Sequence, residues 1–460
     1  MDQGMAADFW QQMWHSLRTA DTALPAASFH GDQAFSSAYP VTELAASSIA
    51  LAMQACAALV DNPQPVAVDV RLASRWFQQS LRPLNRAAPA LWDAFAGDYA
   101  TADGWIRLHT NAPHHRQALE KVLGRQRDRQ ALASQVRGWK KQTLEEAIVS
   151  AGGCAAQMRS LRAWQQHPQG QSVAREPLIA QTRLAEASAP SWRLPPARPL
   201  HGMRVLDLTR IIAGPVATRF LAGLGAEVLR IDAPGWDEPT LAEEITLGKR
   251  CARLDLKSSA GRQQFESLLA TADVLVHGYR ADALENLGYD SEKRQQLAPG
   301  LVDVTLNAWG WSGPWRNRRG FDSLVQMGCG IAERGRQWQG AQQPIPLPVQ
   351  ALDHATGYLM AAAVLEGLRQ RRLLHCGFSA RLSLARTACL LSDNPYPGQA
   401  QRADALTPQP ADESDVIEFS PWGIGYRLRP PVWLPGTALI WSRPPAPLGS
   451  EPAKWLNGEH

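Results

Sequence analysis

Between residues 203 and 309, short apolar runs alternate with helix-patterned segments, and this alternation restricts the fold more than any other feature of the chain. The runs are "MRVLDLT" (203–209), "AEVLRID" (226–232), "CARLDL" (251–256), "ADVLVHGY" (272–279) and "GLVDVTLNAW" (300–309). Each is short and built around Val, Leu or Ile, as a buried strand is. Between the first two lies "AGPVATRFLAGLG" (213–225), a helix with proline near its first turn. Strands that alternate with helices need crossover connections. The pattern therefore predicts an α/β fold: a doubly wound, Rossmann-like parallel sheet with its ligands at the carboxyl ends of the strands.

At 460 residues the chain is long enough for more than this domain. A proline-rich seam, "ASAPSWRLPPARPLHG" (188–202), reads as a linker. The region before it, 1–187, is rich in helical periods, such as "RQALEKVLGRQRDRQALASQVRGWKKQTLEEAIVSAG" (116–152), with a short strand signal at "GWIRLHT" (104–110). The expected division is thus 1–187, a smaller α+β domain; 188–202, the linker; 203–395, the doubly wound domain; and 396–460, a tail rich in proline and tryptophan. A faint repeat crosses this division. "YPVTELAASSIALAMQACAAL" (39–59) lies on "LPVQALDHATGYLMAAAVLEGL" (347–368), and Ala45 takes the place of Asp353.

The formal net charge of +4 is mild and the charges are well mixed, which suits a small anionic ligand and singles out no nucleic acid. No uninterrupted apolar run approaches a membrane span, and the start lacks the pattern of a signal peptide. The six cysteines are scattered without metal spacing, so free thiols, a cytoplasmic location and no metal site are expected. "HTNAPHHR" (109–116) has no carboxylate or thiol at ligand spacing and is not read as a metal site either.

Two places could carry chemistry. The turn "LTRIIAGPVATRF" (208–220) puts backbone N–H groups and small residues at a helix N-terminus, a natural anion site, but it lacks the GxGxxG pattern of a dinucleotide fold. Arg230, Lys249, Arg250, Lys257, Arg280 and Arg319 fall near strand ends and loops of the same domain, where several could converge on phosphates. The second place is Asp353, a lone acid at the mouth of the apolar helix "PVQALDHATGYLMAAAVLEGL" (348–368). As a cap it would gain roughly 1 kcal/mol. The same setting would keep it ionised, as a carboxylate nucleophile requires.

The blocks "PLHGMRVLDLTRIIAGPVATRFLAGLGAEVLRIDAPG" (199–235), "GKRCARLDLKSSAGR" (248–262), "ADVLVHGYRADALENLGYD" (272–290) and "LNAWGWSGPWRNRRGFDSLVQMGCGIA" (306–332) together resemble the family III CoA-transferases, the group of carnitine-CoA and formyl-CoA transferases. The resemblance runs from about 199 to 395 and implies an enzyme that moves CoA between an acyl-CoA thioester and a carboxylic acid. It puts Asp353 at the nucleophile's position, acting through an aspartyl-acyl anhydride. It also implies CoA contacts at Ile212, Ala213, Leu254, Lys257, Gly278, Tyr279, Arg280, Arg319 and Asp322. No permanently bound cofactor is implied, only CoA and acyl-CoA as substrates, and family members form homodimers.

The chain departs from the family pattern in several ways. Ala233 and Asn286 stand at positions often basic, the small domain precedes the CoA half instead of following the nucleophile, and no glycine-rich run is available to cover the site. Two other functions compete. An acyl-CoA racemase or isomerase would need a proton-transferring histidine where "GFD" (320–322) supplies Phe321, with His354 as a conceivable substitute. A degenerate relative could bind acyl-CoA without catalysis.

Overall fold

The computed structural model describes residues 3–18, 22–31, 33–279, 282–396 and 406–456. Its centre is a seven-stranded sheet formed by β1 (Ala180–Glu186), β2 (Arg204–Leu208), β3 (Glu227–Asp232), β4 (Lys249–Arg253), β5 (Val274–His277), β6 (Val302–Asn307) and β7 (Cys376–Ser383). The order across the sheet is β4-β3-β2-β5-β6-β7-β1. All neighbouring pairs are parallel except β7 with β1. The five apolar runs become β2 to β6, and the fold is the α/β class that they predict. Two strands lie outside those runs. β7 follows the long helix, and β1 comes from before the proline-rich seam to close an edge.

The strand order reverses between β2 and β5, because β3 and β4 lie on one side of β2 and β5 to β7 on the other. At such a switch point the two carboxyl ends diverge and leave a crevice.

The helix Ala351–Leu374 is buried through Leu368 and packs on the helix Val41–Leu59 from the front of the chain. Val41–Leu59 is apolar and long enough to cross a membrane by composition, but here it is buried between Ala351–Leu374 and Gln3–Leu17. Each of the two repeated segments runs helix, strand, helix. The first is Val41–Leu59, Val66–Asp69, Val70–Gln78, and the second is Ala351–Leu374, β7, Leu384–Asp393. The front strand Val66–Asp69 belongs to a sheet of three, parallel to Ala27–His30 and antiparallel to Val432–Trp433 of the tail. The tail hairpin of Glu413–Ser420 and Gly423–Leu428 adds to Leu81–Pro83.

The smaller α+β unit has a three-stranded antiparallel sheet, Gly97–Thr101, Gly104–Leu108 and Ala155–Gln157, under three helices. The helical text at 116–152 does not form one helix. It breaks into Pro113–Leu123, Arg129–Arg137 and Lys141–Ser150, the first ending at Gly124 with a positive φ of 72° that favours glycine.

Candidate active site

β2 ends at Leu208, and the chain turns through Thr209–Ile212 into the helix Ala213–Gly223. In this turn Ile211 has φ 66°, a strained conformation for a β-branched residue. Its N–H donates to Glu238 Oε1 at 2.8 Å, and Glu238 Oε2 accepts from Arg230 Nη2 at 2.6 Å. Arg230 also donates to Asp232 at 2.8 Å. Lys249 donates to Asp207 at 3.0 Å and to Thr218 at 2.6 Å, and Arg250 donates to Glu451 at 2.5 Å. These three basic residues are buried struts of the domain and are not free to converge on a phosphate. The partners of Lys249 and Arg250 are far along the chain, so their sequence surroundings do not separate them from surface charges.

Asp353 occupies the first turn of the helix Ala351–Leu374 and is 6% exposed. It is not the cap. Its backbone N–H donates to Asp322 Oδ2 at 2.9 Å, so Asp322, from the helix Asp322–Gly328, satisfies the helix start. Gln326 donates to the other oxygen of Asp322, and Gln326 Oε1 accepts the Leu347 N–H at 2.7 Å, tying down the strand of chain that enters the helix. The Asp353 carboxylate itself accepts no hydrogen bond from the described residues and lines the switch-point cavity.

The electrostatics follow from this arrangement. Burial first, and then the neighbouring Asp322 carboxylate, push the Asp353 carboxyl well above the usual carboxylate range. Burial also raises Asp322, to about 6, against the hydrogen bonds it receives from Asp353, Gln326 and Leu352. The expectation that the helix start keeps Asp353 ionised is therefore corrected. The helix start stabilises charge on Asp322, and charge there opposes ionisation of Asp353.

The long helix is held against the turn by close packing at Gly357, on the face of Asp353 one turn later. A Cβ at Gly357 would lie 2.4 Å from the Ala213 carbonyl oxygen and 2.8 Å from Val216.

The cavity has a volume of about 300 Å³. Of the expected contacts, the structure brings Ala213, Gly278, Tyr279 and Arg319 together with Asp353 in its lining. Ile212 precedes the helix Ala213–Gly223 and packs on the main core, and Asp322 lies buried behind Asp353. Leu254 packs on the apolar cluster beneath β2 and β3, and Lys257 is exposed beyond β4; neither lines the cavity. Arg280 lies outside the described residues.

Further residues line the cavity beyond the expected contacts. The Arg210 guanidinium sits over the rings of Trp236 (4.2 Å) and Tyr279 (5.3 Å) and has no ion pair among the described residues. His114 and His115, from the start of the helix Pro113–Leu123 in the smaller unit, close the cavity from the front of the chain. Phe321 stacks on His109 with centroids 3.9 Å apart. His354 stacks on Phe77 away from the cavity, and burial lowers it to about 3. Among the described residues, no group of side chains is arranged to hold a metal ion.

Fold and site together define a doubly wound α/β protein whose switch-point cavity ends on a buried carboxylate left free for chemistry. Residues 200–423 of the chain match the sequence profile of CoA-transferase family III. The chain is 32% identical over 251 residues to the probable fatty acyl-CoA transferase Rv3272 of Mycobacterium tuberculosis, covering 51% of this chain and 62% of that protein. It is 31% identical to the succinyl-CoA:glutarate CoA-transferase of Mus musculus, over 42% of this chain and 47% of the relative. It is 34% identical to the acetyl-coenzyme A transferase nodX of Hypoxylon pulicicidum, over 43% and 34%. A crystal structure of Rv3272 is 33% identical, covers 43% of this chain and 57% of that chain, and superposes with a TM-score of 0.40. The chain spans less than two thirds of the length of each of these relatives.

Proposed function

We propose that this chain is a CoA-transferase that moves CoA from an acyl-CoA to a carboxylic acid through an anhydride on Asp353. One observation carries the reading: Asp353 is buried at the carboxyl ends of the strands with its oxygens unbonded, because Asp322 has taken over the helix cap. A nucleophilic carboxylate needs free lone pairs, and a buried one reacts with little solvent to shed.

In the proposed cycle, an Asp353 oxygen attacks the thioester carbonyl and the C–S bond breaks, giving the mixed anhydride and CoA thiolate. The thiolate attacks the aspartyl carbonyl and expels the donor acid as a carboxylate. The acceptor carboxylate then attacks the aspartyl thioester, and the released thiolate attacks the new acyl carbonyl. Acyl-CoA leaves and Asp353 is regenerated.

The cavity has room for the acyl end and the adjoining pantetheine, with the nucleotide outside it. Arg210, without an ion pair among the described residues and braced on Trp236 and Tyr279, supplies positive charge on that side, where Ala233 and Asn286 supply none. The relatives named for fatty acyl-CoA, or for succinyl-CoA and glutarate, agree with an acyl-CoA donor. Phe321 cannot transfer a proton, and His354 faces Phe77, so neither residue weighed for a racemase is placed to serve one.

The test is acyl exchange between acyl-CoA and carboxylic acids read by mass spectrometry, with hydroxylamine trapping of the acyl-enzyme. The Asp353→Ala variant should lose exchange by at least ~10³-fold and form no adduct, while CoA affinity stays within a few-fold. Exchange at the wild-type rate in that variant would sink the assignment. CoA binding by the wild type with no adduct would instead make this a binding protein.

A further inference from the structure

The side of the cavity formed by the smaller unit carries a polar group with nothing to bond. His115 is 3% exposed and lines the same cavity as Asp353, yet neither of its ring nitrogens has a hydrogen-bond partner among the described residues. Its neighbours are rings. His114 lies 4.1 Å away centroid to centroid, Phe321 5.7 Å and His109 6.1 Å, all three edge-on. Leaving a buried imidazole without a partner is costly, and this one sits at the wall of a cavity with room for a substrate. Residues 200–423, which match the family, do not include it.

We infer that His115 is a specificity-determining residue that hydrogen-bonds a hydroxyl group on the acyl chain, so that the preferred substrates are hydroxyacyl thioesters or hydroxy acids. The inference rests on the transferase reading above. A hydroxyl is the group that suits the site. Burial, with the nearby His114, His109 and Arg319, lowers His115 to about 3, so the ring is neutral and offers one donor and one acceptor. A carboxylate could use only the donor, and an unsubstituted chain would use neither. The contrast with Phe321 adds to this, since the opposing ring is apolar and would pack against the carbons on either side of such a hydroxyl. Sites that bond a substrate hydroxyl discriminate strongly against the analogue that lacks it, because their own polar atoms are then stranded.

The experiment compares butyryl-CoA, 2-hydroxybutyryl-CoA and 3-hydroxybutyryl-CoA as donors to the wild-type chain and to His115→Phe. The expected result is that kcat/KM for one hydroxyacyl donor exceeds that for butyryl-CoA by at least ~10-fold in the wild type. The ratio should collapse toward unity in His115→Phe, whatever the absolute rates. A ratio near unity in the wild type, or one unchanged in His115→Phe, overturns the proposal. If His115→Phe does not fold, ¹⁵N-histidine NMR of the wild type decides: a His115 ring resonance should move with the hydroxyacyl-CoA and stay in place with butyryl-CoA, and equal responses overturn the proposal. The two readings fail separately. Exchange of all three donors without preference removes only the role of His115, whereas absence of both exchange and adduct removes the transferase itself.

Discussion

At the scale of single residues, the site depends on two carboxylates with divided tasks. Asp322 holds the helix start, and Asp353 is left unbonded. Their closeness has a cost in charge, because each opposes ionisation of the other. The acylation rate should therefore rise with pH as Asp353 ionises. Asp322→Asn keeps an oxygen for the Asp353 N–H but removes the opposing charge, so the acidic limb of the pH–rate profile should move to lower pH. Relative to its own maximum, the variant's activity at pH 6 should exceed the wild type's severalfold, and an unmoved limb would show that the two groups are not coupled. Stability gives a second readout. A carboxyl whose folded value lies above its ordinary value of ~3.9 favours the folded state while protonated. That contribution is present below the ordinary value and is lost as pH rises through the raised one. Asp353→Asn should therefore melt a few degrees above the wild type at pH 8, with the gap closing by pH 4.

At the scale of elements, the turn after β2 and the start of the long helix are locked together. Ile211 is kept in its strained conformation by the Glu238–Arg230 pair, and Gly357 seats the helix on Ala213. Gly357→Val should push the helix off the turn and carry Asp353 with it. The expected losses are about 1–3 kcal/mol in stability and on the order of 10²-fold in kcat/KM, read by thermal melts and steady-state exchange. Much of this level is legible in the text. The runs behind β2 to β6 each carry Val, Leu or Ile between helix-patterned segments, although β4 itself, "KRCAR", holds charges that the fold buries. β1, "AQTRLAE", sits at a half-exposed edge with charges among its apolar positions, and so lacks that signature. Asp353 is legible as an acid at a helix mouth, but its partner Asp322 is set by tertiary packing, which spacing cannot reveal. The same holds for His115. "HTNAPHHR" is conspicuous as a histidine cluster, yet only the fold carries it to the cavity that Asp353 lines.

At the scale of the whole molecule, the repeat gives two copies of a helix–strand–helix unit, only one of them with the acid. The front helix keeps Ala45, fully buried, where the rear helix has Asp353, and the pair packs face to face in the core. The two parts also exchange strands. β1, from before the seam, closes the edge of the large sheet, and the tail returns to lay Val432–Trp433 on Val66–Asp69 and a hairpin on Leu81–Pro83. Limited proteolysis within 188–202 should therefore leave a particle of unchanged mass by light scattering under native conditions, with exchange activity retained; separation of the fragments would contradict the lacing. The strand exchange has a practical consequence. Expressing residues 203–460 alone would uncover β7 and strip the tail strands of their partners, leaving adhesive strand edges. Such a truncation would not give a minimal enzyme. It would give an aggregate, although the same peptide bonds can be cut once the chain has folded.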